Sequence, residues 1–255
     1  MAGKYDIHFF DSIMTGSRRS ADIVFDLLAP LFSSVPRSLV DVGCGSGTWC
    51  RAFEDRFAPA SVRGIDGDYV DRSQLLIQPS DFLAHDLTQP LPADRRFGLA
   101  MSLEVGEHLS PDSGPELVRT LVGYSDHVLF SAAIPGQGGE FHINERPPEY
   151  WRGLFRSHGY VAVDCLRPTL HRNPQVEPWY RYNSVLYVHA DRLSELPEAF
   201  AAAIVPDDRP LADFASAWWR VRCALIRLLP AGIVLMLARV KRRLLTPMIS
   251  RMASA

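Results

Sequence analysis

The stretch 39–50, LVDVGCGSGTWC, constrains this chain more than any other. Leu39, Val40 and Val42 favour an extended strand, which passes through Asp41 and runs at once into Gly43-x-Gly45-x-Gly47. Glycines let a backbone turn sharply and approach a ligand, and residues 48–57 can open a helix behind them. Strand, glycine turn and helix together predict a nucleotide-binding corner at the carboxyl end of the first strand of an α/β sheet. The spacing refines this, because Asp-x-Gly-x-Gly-x-Gly has one residue fewer between its second and third glycines than the Gly-x-Gly-x-x-Gly of dinucleotide binders. An NAD-dependent oxidoreductase is therefore disfavoured.

The segments that follow extend the pattern. A second strand over 61–65 ends in Asp66, about twenty residues past the loop, where a carboxylate can accept both ribose hydroxyls of an adenosine ligand. A third, over 81–84, ends in His85-Asp86-Leu87, so that Asp86 can take a hydrogen bond from an adenine amino group while Leu87 packs against the ring. Further strands are expected at 98–102, 126–133, 160–166 and 184–190, with helices at 21–31 and 149–157 and only a turn or two between the second and third strands. Alternating strands and helices predict an α/β fold with a doubly wound, largely parallel seven-stranded sheet.

The pieces DVGCGSG, GID, HDL and SLEVGEHL, in that order and spacing, resemble the class I S-adenosylmethionine-dependent methyltransferases over roughly residues 20–190. The resemblance implies a Rossmann-like sheet with the cofactor across the carboxyl ends of the first strands. Asp41, Gly43, Cys44, Gly45 and Gly47 would face its methionine part, Asp66 its ribose, and Asp86 and Leu87 its adenine. The EVxEHL segment is similar to ubiquinone-biosynthesis O-methyltransferases, and SAAIPGQGGEFHINERPPEYW looks like bacterial enzymes of glycan and natural-product biosynthesis.

Methyl transfer from a sulfonium is an in-line displacement with a neutral leaving group, so the protein has to align a nucleophile and remove its proton. Glu104, Glu107 and His108 stand at i, i+3 and i+4, on one face if the segment is helical, and His142 returns in the glycine-rich loop 135–146. Three readings stay open. The four residues hold a divalent cation, magnesium or manganese, as the matching residues do in ubiquinone-type and some small-RNA 2′-O-methyltransferases. Alternatively, His108 or His142 acts as a general base without metal, or Glu104 shapes the cofactor pocket and the others are structural. The aromatic cluster Trp179, Tyr180 and Tyr182 reads equally as a sugar-stacking lid and as loop packing.

Charge divides the chain. The last acid is Asp213, and residues 214–255 carry eight basic residues: Arg220, Arg222, Arg227, Arg239, Lys241, Arg242, Arg243 and Arg251. Residues 1–213 hold 19 basic against 29 acidic residues, a net of −10, which argues against a nucleic-acid substrate. A methyltransferase domain over 1–190 and a basic amphipathic helical tail over 191–255 are expected. The apolar run 228–238 is too short to span a bilayer and is broken by Pro230, so the tail reads as an interfacial element on an anionic membrane, or as a helical pair packing on the domain or across a dimer. Cys44, Cys50, Cys165 and Cys223 show no metal or disulfide spacing, and the first twenty residues do not read as a signal peptide, so a cytoplasmic protein is expected, with the interfacial reading of the tail placing it peripherally at the inner face of the membrane. The acceptor expected is a hydroxyl of a sugar, glycan precursor or lipid-linked intermediate. The alternatives are the amine of an amino sugar or natural product, or a catalytically silent binding module.

Overall fold

The structure is a computed structural model that describes residues 7–240 apart from 92, 231 and 239, with backbone only for 7–14. Seven strands form one sheet: β1 (Ser38–Val42), β2 (Ser61–Asp66), β3 (Phe82–Ala84), β4 (Leu99–Leu103), β5 (His127–Ser131), β6 (Tyr160–Val163) and β7 (Val185–His189). Their order is β3-β2-β1-β4-β5-β7-β6, with β7 antiparallel to both neighbours. The strand order reverses between β1 and β4, and the carboxyl ends on either side of that point frame a ligand crevice.

β1, β4 and β5 are buried throughout because helices cover both faces, and side-chain alternation assigns each residue to one of two cores. Leu39, Leu99 and Leu129 meet α1 (Ile7–Leu28) and α2 (Thr48–Phe57), where Phe25 packs edge-on against Trp49, Phe53 and Phe57. Val40, Ala100 and Val128 meet α3 (Gly114–Tyr124) and α4 (Pro148–Ser157) on the other side. Between β2 and β3 the chain makes only two 3-10 turns, Arg72–Gln74 and Pro79–Asp81, as expected from the short connection.

The first helix is longer than the 21–31 read from periodicity, because tertiary partners satisfy its polar residues. Ser17 bonds the Tyr180 hydroxyl at 3.0 Å, Arg18 pairs with Asp22 and Asp55, and Arg19 donates to the Gln175 carbonyl. The long connection before β7 contains α5 (Arg167–Leu170) and α6 (Pro178–Asn183). Tyr180 and Tyr182 are buried there, Tyr180 edge-on to Trp49 at 5.0 Å, so these two rings are packing and not an open stacking surface.

After β7, the chain passes through α7 (Glu198–Ala201) and pairs Ile204 with Val163 before reaching α8 (Ala217–Arg227) and a second helical stretch over 232–238. The boundary expected at 190 is not a break in packing. Arg152, buried in α4, donates to the carbonyls of Val205, Pro206 and Arg209 at 3.1, 2.7 and 2.6 Å. Of the tail's cations, Arg239, Lys241, Arg242, Arg243 and Arg251 lie outside the described residues. No helix among the described residues is long and apolar enough to cross a membrane.

Candidate active site at the carboxyl edge of the sheet

The loop after β1 turns on three left-handed glycines, Gly43, Gly45 and Gly47, at φ +89°, +55° and +87°. A Cβ on Gly43 would lie 2.3 Å from Val105, so close packing requires that glycine, whereas a Cβ on Gly45 would meet nothing within 4 Å. Gly45 thus presents bare backbone to open space at the switch point. Its N–H donates to Asp66 Oδ2 at 2.7 Å, tying the loop to the end of β2. Asp66 Oδ1 accepts from the Gly67 N–H at 2.7 Å and the Tyr69 hydroxyl at 2.5 Å.

Asp41 lies beneath the loop, 3% exposed, where burial and then the nearby Asp66 carboxylate hold its pKa well above the usual range. One long hydrogen bond reaches it, from the Cys50 thiol at 3.9 Å. The Cys44 thiol is turned inward toward Gly64. Asp86 is exposed on the rim, with Oδ1 accepting from the Thr88 N–H and hydroxyl in a local turn that lowers its pKa. Leu87 is half-buried against the cluster containing Ile65 and Val105.

On the other side of the switch point, the end of β4 departs from the expected helix. Glu104 adopts φ +57°, a conformation an L-residue keeps only when its surroundings enforce it. Its N–H donates to the Ser131 carbonyl at 3.0 Å, and only a 3-10 turn, Gly106–His108, follows. The i, i+3, i+4 face therefore does not form. Glu104 points instead into a closed ring: Gln137 Nε2 donates to Glu104 Oε2 at 2.6 Å, while Asn183 Nδ2 donates to Gln137 Oε1 at 2.8 Å and to Glu104 Oε1 at 3.3 Å. Burial raises the Glu104 pKa against the hydrogen bonds of Gln137, Ser131 and Asn183.

Glu107, His108 and His142 do converge, with one candidate ligand atom from each lying within 4.8 Å of the others. Glu104, the fourth residue of the expected metal set, stands apart from this group, because two amides engage it. Glu107 is fully buried, neither carboxylate oxygen has a hydrogen-bond partner, and burial followed by the Glu104 charge drives its pKa far up. His142 Nε2 lies 3.9 Å from Glu107 Oε1, and the His108 and His142 rings stand edge to face at 4.9 Å. His108 reaches solvent on one side, but the protein packed around the other side, and then His142, lower its pKa to about 4.

Two positioning groups carry no motif in the sequence. Glu145 accepts the Gly136 and Gly138 N–H groups at 2.7 Å each and faces His142 Nδ1 at 2.9 Å. Burial pulls the Glu145 pKa up, but His142 and the two amides outweigh it and the net direction is down. Backbone bonds from Ile143 and Asn144 to the Glu107 carbonyl, 2.8 and 3.0 Å, then pin this loop over the Gly106–His108 turn. The second group is Asn183, visible in the sequence only as the polar end of an aromatic run.

Residues 16–132 match a family profile described as a methyltransferase domain. The chain is 26% identical over 166 residues to a malonyl-[acyl-carrier protein] O-methyltransferase of Pseudescherichia vulneris, covering 63% of this chain and 62% of that protein. It thus spans less than two thirds of this relative's length. An O-methyltransferase family protein from Burkholderia thailandensis superposes with a TM-score of 0.55 at 13% identity, over 71% of this chain and 58% of that one. The sugar N-methyltransferase KedS8 from Streptoalloteichus sp ATCC 53650 superposes at 0.52 and 12% identity, over 67% and 86%. Residues 16–132 thus match a methyltransferase domain, and with its glycine loop and strand order the chain has the Rossmann-like fold of the class I S-adenosylmethionine-dependent methyltransferases.

Proposed function

We propose that the chain transfers the methyl group of S-adenosylmethionine to a hydroxyl of a sugar, glycan precursor or lipid-linked intermediate. The observation that carries this reading is the placement of Gly45 and Asp66 on one side of the switch point and of the unpartnered Glu107 carboxylate on the other. Asp41 gives the cofactor half its charge logic: a buried carboxylate with one long thiol partner gains from a ligand ammonium or sulfonium nearby. Asp66 would exchange the Tyr69 hydroxyl for ribose hydroxyls, and Leu87 would border the adenine, with Asp86 reaching it only from the rim.

The acceptor half fits a divalent cation by its donors, because burying Glu107 without a hydrogen bond is costly unless a cation reaches it. A pKa of about 4 keeps the His108 lone pair free near neutrality. A cation held by Glu107, His108 and His142 would lower the pKa of an acceptor hydroxyl. Two imidazoles and one carboxylate suit manganese or another transition ion better than magnesium. A metal-free reading is favoured by a different contact: with Nδ1 facing Glu145, His142 turns Nε2 toward the acceptor side as a general base. An amine acceptor would need the same cofactor half and only a proton sink.

The likeness to a sugar N-methyltransferase supports a sugar-sized acceptor, and the C-terminal segment supports a lipid-linked one at the cytoplasmic face of a membrane. Free cysteines at Cys44, Cys50, Cys165 and Cys223 support a reducing compartment. The test is calorimetry with S-adenosylhomocysteine, followed by incubation of the protein with methyl-labelled cofactor and cell extract, with and without chelator. Label partitioned between lipid and water identifies the acceptor class, and absence of both binding and transfer sinks the reading in favour of a silent module.

A further inference from the structure

Helix α8 has two faces with different uses. Its inner face buries Trp219 and Cys223 against Tyr182 and Ala215. From the same side, Arg222 donates to the Gln137 carbonyl and Arg227 to the Pro135 carbonyl, both at 2.8 Å. The Cys223 carbonyl comes so close that a Cβ on Gly136 would lie 2.2 Å from it. The helix therefore braces the loop whose Gln137 side chain holds Glu104 and whose Glu145 holds His142.

The outer face is apolar and bare. Trp218, Val221, Leu225 and Leu228 recur at helical spacing and are 73%, 51%, 57% and 79% exposed. After the break at Pro230, Ile233, Met236, Leu237 and Val240 continue the exposed apolar surface. Eight of the twelve exposed large apolar side chains among the described residues lie on this segment, a concentration that marks an interaction surface.

Charge selects the occupant. Residues 214–255 carry eight basic residues and no acid, and six of the eight remain besides the loop-bound Arg222 and Arg227. A symmetric dimer through this face would bring like charges together, whereas an anionic lipid surface neutralises them and receives the apolar side chains. No helix among the described residues is long and apolar enough to cross such a surface, which suits an element that lies on it.

We propose that α8 docks on an anionic lipid surface through Trp218, Val221, Leu225 and Leu228 while its inner face holds loop 135–146, so that lipid docking stiffens the acceptor half of the site. The role of the stiffened loop rests on the methyltransferase reading, whereas docking itself does not.

The full chain is floated with vesicles of phosphatidylcholine alone and of phosphatidylcholine mixed with phosphatidylglycerol. Flotation is expected only with the anionic vesicles, and to be lost at about 0.5 M salt, where screening shortens to a few ångströms. Val221→Glu/Leu225→Glu, on the outer face, should abolish flotation while S-adenosylhomocysteine binds within about twofold of the parent, a check that the sheet is folded. Amide exchange across residues 136–145 should slow at least about fivefold on anionic vesicles. Failure of the parent to float, or equal flotation with both vesicles, overturns docking. A parent dimer that Leu225→Glu dissociates, without flotation, assigns the face to a second copy and overturns it too. Flotation without slower loop exchange overturns the coupling. Flotation with loop protection but no cofactor binding instead sinks the methyltransferase reading and leaves docking intact.

Discussion

The Tyr69 hydroxyl donates to Asp66 Oδ1 at 2.5 Å, on the carboxylate whose other oxygen holds the Gly45 N–H. An exposed ring thus covers the acceptor a ribose would use. Tyr69→Phe should leave S-adenosylhomocysteine binding unchanged or up to about 1 kcal/mol tighter, because a competing donor is removed. Asp66→Ala should weaken it by about 1.5–3 kcal/mol. Calorimetry checks both, and a tenfold loss in Tyr69→Phe would mean that the hydroxyl binds the ligand itself.

Asp41 sets a pH dependence. Its folded pKa lies well above the unfolded value near 4, so the folded state holds its proton more tightly. Stability from this group is fully present below the unfolded pKa and declines as pH rises from there toward the folded pKa. Asp41→Asn should flatten that decline, raise unliganded stability at neutral pH by about 1–3 kcal/mol and weaken cofactor binding. Denaturant melts across pH decide, and a variant with the parent's slope would show that another group governs the decline.

The proposed cation site separates two glutamates, of which only Glu107 converges with His108 and His142. Glu107→Gln should abolish manganese binding, measured by calorimetry or electron paramagnetic resonance, whereas Glu104→Gln should retain it, since Glu104 is engaged by Gln137 and Asn183. Equal loss in both would restore Glu104 as a ligand. Methyl transfer that survives exhaustive chelation would leave His142, oriented by Glu145, as the base.

Gly136 is the contact point between helix and loop, at φ +81° under the Cys223 carbonyl. Gly136→Ala adds left-handed strain and a backbone clash, and should cost about 1–3 kcal/mol and expose α8 to limited proteolysis. Removing residues 211–255 should likewise uncover Tyr182 and loosen loop 135–146, in contrast to a tail that leaves the catalytic fold untouched when deleted. Unchanged loop exchange in the truncated chain would show that α8 does not brace it.

The sequence revealed the sheet well because buried parallel strands are apolar runs closed by glycine or acid, as at Val42-Gly43 and Ile65-Asp66. It missed residues 7–20 of α1, where Ser17, Arg18 and Arg19 find partners on Tyr180, Asp55 and Gln175 that no periodicity records. At the site, Gly43, Gly45 and Gly47 were legible because the loop is local. Glu104 was misplaced because its spacing to Glu107 assumes helical backbone, while Ser131, Gln137 and Asn183 hold it left-handed. Asn183 lies far from Glu104 in the chain, so only the sheet order brings the two together.

That sheet order also sets a timetable. β7 runs against its neighbours, so the chain enters it from the ligand edge and delivers Asn183 there late, after every parallel strand has been made. During synthesis, the half with the glycine loop and Asp66 leaves the ribosome well before Asn183 and α8 close the opposite wall. The glycine loop and Asp66 are therefore made long before the amide that completes the Glu104 ring, and premature termination anywhere before α6 leaves Glu104 without the Asn183 amide that helps hold it.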